Sequence, residues 1–126
     1  MKIAALIARF LMGIVFVAFG LNGFLPFIPQ GPMPAGSAGQ FIGALMSSHY
    51  MLPVCAIMVV SGALFLINRY VPLALTLIGP VIVNILFFHL FMLPNGIAPG
   101  AVVAVCWFLV ALSVRSAFAG IFQQRT

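Results

Sequence analysis

Residues 71–93, VPLALTLIGPVIVNILFFHLFML, carry no formally charged side chain. About 20 consecutive apolar residues suffice for a helix to cross a bilayer. Three comparable stretches share the chain, at about 3–25, 50–67 and 97–118. Only 4% of the residues are charged and none is Asp or Glu, whereas a soluble domain carries about a quarter charged residues. With 65% hydrophobic residues and a mean hydropathy of +1.33, there is too little polar surface to cover a water-facing exterior. Such a chain dissolves in lipid. Its 126 residues form one domain, 1–126, and the expected fold is all-α: a four-transmembrane-helix up-and-down bundle.

The breaks between the runs carry stop signals. Pro26 ends the first, and Pro94-Asn95-Gly96 ends the third. Pro53, Pro72 and Pro99 fall in first turns, where a missing N–H costs nothing. Pro80 falls inside the third run, where it should kink the helix and free the carbonyl of Thr76. MKIAALIARFLMGIVFVAFG has the basic start of a signal peptide, but Arg9 interrupts it and no A-x-A site follows, so a retained helix is expected.

The cations set an orientation. Lys2 and Arg9 lie at the start of the first span, Arg69 in the turn after the second, and Arg115 and Arg125 at the end of the fourth. In a four-span chain these places share one side, so the positive-inside rule puts both termini in the cytoplasm. Arg9 and Arg115 would snorkel to that face. The other side receives the long connection 26–50. Its Pro- and Gly-rich first half reads as loop, and GQFIGALMSS has the helical spacing of a short helix lying on the outer surface. Five scattered cations make no nucleic-acid patch. They suit an anionic bilayer. Cys55 and Cys106 are far apart and read as buried apolar residues.

Within VNILFFHLF, 83–91, Asn84 and His89 are polar groups in an apolar setting, which is costly without partners. Five residues correspond to about 500° of helical turn, so the two point in different directions and need separate partners. His89 lies near the outer end of its span, at a depth close to that of Asn22, while His49 and Tyr50 open the second span on the same side. Asn22, His49, Tyr50 and His89 therefore form the candidate cluster. Interhelical hydrogen bonding is the leading reading. The alternative is a pocket for a quinone or a similar apolar ligand, walled by Phe87, Phe88, Phe91 and Trp107. His89 is expected to face the bundle interior and donate an N–H to Asn22 or to such a ligand. Thr76, Pro80 and Asn84 recur every four residues, and Thr76 and Asn84 read as structural polar groups beside the proline break.

Two histidines without characteristic spacing do not make a metal site, and haem or copper ligation with Met51 or Met92 is the least favoured reading. No carboxylate is present for a proton relay or acid–base pair, and no C-x-x-C for thiol–disulfide exchange. No catalytic residue and no cofactor is assigned.

The chain resembles the DoxX family of small four-helix membrane proteins. The resemblance is carried by RFLMGIVFVAFGLNGF (9–24), the PFIP start of the outer loop, GQFIGALMSSHYMLPV (39–54), NRYVPLALTLIGPVIVNILFFHLFMLPNG (68–96) and VRSAF (114–118). It implies a four-helix bundle in a bacterial cytoplasmic membrane, linked in some members to sulfur oxidation, quinone-linked respiration and oxidative-stress complexes. Relatives often carry a Lys where this chain has Gly23, a Glu near MVVSG (58–62) and an acidic residue near CWFLV (106–110). The scaffold without those charges points to a non-catalytic subunit or accessory protein of a larger, redox-related membrane complex. Its partners would be lipid and other membrane subunits, not nucleic acid. The alternative is a quinone-interacting oxidoreductase component.

Overall fold

The computed structural model describes residues 2–29 and 31–124. Arg125, counted above among the cations, lies outside the described residues. Five α-helices are present: α1 (Lys2–Asn22), α2 (Gly36–Ser47), α3 (Met51–Ile67), α4 (Val71–Phe91) and α5 (Ile97–Ser113). Single 3₁₀ turns follow α4 at Pro94–Gly96 and α5 at Arg115–Phe118. No strand occurs among the described residues. Helices α1, α4 and α5, the last with its preceding turn, are each long and apolar enough to cross a membrane. At 17 residues, α3 reaches that length only together with α2, which precedes it at a bend of 85°. These helices mark a membrane protein in contact with lipid.

Four helices close a ring in which α1 packs between α3 and α5, and α4 packs between the same two on the far side. Ala5, Ala8, Met12, Phe16 and Gly20 recur every three or four residues and form the buried stripe of α1. Ile3, Ile7, Phe10, Ile14 and Phe19 point outward. Large apolar residues facing outward all along the helix reverse the soluble pattern. The reversal is stable because lipid solvates the outer side and close packing holds the inner one. Gly13 of α1 meets Gly62 of α3, where an added Cβ at either position would lie within 3.1 Å of the other's carbonyl oxygen. Met12, Phe16, Phe65, Leu75, Ile78 and Val110 fill the centre.

Several boundaries differ from the sequence expectation, each for a local reason. α1 stops at Asn22 rather than near residue 25, because the Asn22 side chain takes amides of the following loop. The fourth span stops at Ser113 rather than 118. There the Ser113 hydroxyl donates to the Val110 carbonyl at 2.6 Å, and the chain tightens into a 3₁₀ turn. α4 runs unbroken through Pro80. The α3–α4 turn places Asn68 at φ 56° and Tyr70 at φ 52°. The left-handed position suits Asn as a helix terminator and is sterically unfavourable for Tyr.

Candidate functional site

The four residues expected to cluster do not share hydrogen bonds. Asn22 is buried, with 7% of its surface exposed. Its Oδ1 accepts from the backbone N–H of Phe27 at 3.0 Å and of Ile28 at 2.8 Å. Both lone pairs are thereby used to fold the loop back over the end of α1. His89 does not bond to Asn22. Its Nδ1 lies 2.8 Å from the Ile85 carbonyl oxygen on its own helix, which fixes Nδ1 as the protonated nitrogen of that bond. Its ring packs against the turn after α4, where a Cβ on Gly96 would be 2.6 Å from Cδ2 and 2.8 Å from Nε2. The expected bond from His89 to Asn22 is thus replaced by three local ones, because each side chain reaches a backbone partner within six residues.

His49 and Tyr50 lie in the sharp bend between α2 and α3. His49 has a left-handed backbone at φ 63°, and Tyr50 is 65% exposed. Their backbones, not their side chains, hold the bend: His49 N–H donates to the Met46 carbonyl, and Tyr50 N–H to the Ser48 hydroxyl.

A contact the sequence did not suggest ties this end together. Phe41 of α2 stacks on Phe88 of α4 with centroids 5.6 Å apart. Phe88 in turn meets the His89 ring edge-on at 5.1 Å. The helical spacing of Phe41, Ile42 and Leu45 announced an amphipathic helix, but nothing in it named Phe88 as the partner.

Thr76 and Asn84 are also locally satisfied. The Thr76 hydroxyl donates to the Pro72 carbonyl at 2.9 Å, and Asn84 Nδ2 donates to the Pro80 carbonyl at 2.8 Å. Both side chains face the exterior, and bonding back one turn lets a polar residue stand there without an interhelical partner.

Two open spaces lie away from the expected pocket, toward the basic end of the bundle. An open, almost wholly apolar groove of about 460 Å³ runs between α4 and α5, lined by Thr76, Gly79, Pro80, Trp107, Phe108 and Arg115 among others. Of the aromatic walls expected for a ligand, it contains Trp107 and none of Phe87, Phe88 and Phe91. The indole N–H of Trp107 donates to the Leu75 carbonyl at 3.0 Å and pins α5 to α4 along the groove floor. A smaller cavity of about 210 Å³ opens at the basic end, bounded by Lys2, Arg9, Asn68, Val71, Ser113 and Val114 among others. There Arg9 Nη1 donates to the Phe65 carbonyl in the last turn of α3, and its guanidinium carbon sits 4.6 Å from the Phe10 ring centroid. No group of three or more His, Cys, Asp or Glu side chains could hold a metal among the described residues. Cys55 and Cys106 are free and buried.

Compared with protein-family models, with curated proteins and with solved structures, the chain matches none of them.

Proposed function

We propose that this chain is a DoxX-like integral membrane protein acting as a non-catalytic accessory subunit of a larger, redox-related membrane complex. The observation that carries the reading is the uncovered apolar groove on the α4–α5 face. The spanning window of α5 is only 17% buried within the chain, against 39% for α1. Val102, Val105, Phe108 and Leu112 line its outward side. A furrow of about 460 Å³ beside that stripe is the kind of surface a ridge of side chains from another membrane helix fills. Asn22, Thr76, Asn84 and His89 are meanwhile spent on local backbone bonds, which suits a scaffold. The redox setting rests on the resemblance alone.

In this reading α1, α3, α4 and α5 each cross a bacterial cytoplasmic membrane in up-and-down order. Both termini are cytoplasmic, and α2 lies on the outer surface within the long loop. Four cations support that orientation: Lys2, Arg9, Arg69 and Arg115 all gather at the end where α1 begins and α5 finishes. Cysteines introduced at Ser37 and Gln123 label from opposite sides if the reading holds. Labelling from one side overturns it.

A second reading draws on the same groove, whose volume lies within the usual range of small-ligand pockets. It makes the protein a quinone-interacting oxidoreductase component. In that case the ligand lies between α4 and α5 near Arg115, not beside Asn22 and His89. Gentle solubilisation, native-gel separation and mass analysis of the band separate the two. Co-migration with larger subunits and no ligand supports the accessory role. A lone monomer carrying quinone overturns it.

A further inference from the structure

We infer that the cavity at the basic end is a binding site for the phosphate headgroup of an anionic phospholipid, with Arg9 as its deep ligand and Lys2 as its rim. Lys2, Ala5, Leu6 and Arg9 line it from α1. They stand at i, i+3, i+4 and i+7, which is one face of a helix. The two cations therefore point into the same space from levels about 10 Å apart along the axis. Asn68 of the α3–α4 turn and Ser113 of α5 close the opposite wall with polar groups.

The charge balance calls for an anion from outside the side chains. The sequence contains no Asp or Glu, so no side-chain carboxylate can pair with either cation. Arg9 is half-buried and its guanidinium has one N–H on the Phe65 carbonyl. Its other N–H groups have no hydrogen-bond partner among the described residues, and a planar guanidinium presents several of them in a fork that matches phosphate oxygens. The Lys2 side chain makes no hydrogen bond among the described residues and can swing over the opening as a mobile point charge. The cavity of about 210 Å³ has room for a phosphate group. A soluble anion would have to enter from water alone. A phospholipid meets the site laterally with its phosphate already at interface depth and its chains against the exposed Leu6 and Phe10. That match favours lipid as the source. The site is independent of the accessory role, since it involves neither the groove nor any partner chain.

The test uses the full-length protein in mild detergent with equimolar phosphatidylglycerol and phosphatidylcholine of identical acyl chains. Native mass spectrometry reads the ratio of the two retained lipids. The wild type is expected to retain phosphatidylglycerol preferentially. Lys2→Gln should lower that preference about fivefold, the effect of one basic residue at an anionic surface. Arg69→Gln, a cation of the α3–α4 turn at the same end that does not line the cavity, should leave it unchanged. Arg9→Gln should abolish it, but also removes a cap from α3, so Lys2→Gln carries the test if that variant does not fold. Equal retention of the two lipids by the wild type overturns the proposal. Equal losses in Lys2→Gln and Arg69→Gln overturn it too, by showing diffuse surface charge. Thermal stabilisation by inorganic phosphate that depends on Lys2, without phosphatidylglycerol retention, overturns the lipid assignment.

Discussion

The backbone of Gly62 on α3 passes so close to Gly13 on α1 that a Cβ added at Gly62 would stand 2.9 Å from the Gly13 carbonyl oxygen. It would also lie 2.8 Å from the Val17 backbone nitrogen. Backbone atoms cannot step aside as a side-chain tip can. Gly62→Ala is therefore expected to force α1 and α3 apart and cost about 1–3 kcal/mol. Gly13→Ala should cost less, because its nearest obstacle is the Leu66 side chain at 2.7 Å. Unfolding of both variants in detergent measures the difference, and a milder effect at Gly62 would contradict the geometry.

Asn22→Ala should release the loop that follows α1. Two backbone N–H groups, of Phe27 and Ile28, lose their common acceptor. Leaving partly buried donors unpaired costs about 1–3 kcal/mol. Faster proteolysis within 26–29, with the helices otherwise intact by circular dichroism, is the expected signature.

The His89 ring and Gly96 are coupled through contact. A Cβ at Gly96 would strike the ring, and the ring cannot retreat without giving up its bond to the Ile85 carbonyl. Gly96→Ala should destabilise the wild type yet be nearly neutral beside His89→Ala. A double-mutant cycle should return a coupling of about 0.5–3 kcal/mol, and a value near zero would place the ring elsewhere.

Ser61 presents the reverse case. Its side chain is fully buried, with 0% exposed, and its hydroxyl has no hydrogen-bond partner among the described residues. Removing an unsatisfied buried polar group should be neutral or stabilise the fold by about 1 kcal/mol. A clear loss of stability in Ser61→Ala would show that the hydroxyl has a partner.

Much of the architecture was legible in the sequence because hydrophobic run length is a local property. Apolar stretches bounded by Pro26, the Asn68–Tyr70 turn and Pro94-Asn95-Gly96 mark the helices to within a few residues. The absence of carboxylates set the medium in which they fold. The helical spacing of GQFIGALMSS announced α2. What the sequence could not decide was the pairing of polar groups. Depth along a helix placed Asn22 and His89 at one level, but depth says nothing about which partner is nearer, and both found backbone atoms close by in the chain. Likewise, nothing local joins Phe41 to Phe88, Arg9 to the last turn of α3, or Gly13 to Gly62. Each pair is separated by tens of residues and meets only in the folded chain. Side-chain type and periodicity determined which segments would be helices in lipid. Only tertiary packing decided which faces met and where the empty spaces were left, because both depend on how close two backbones can approach.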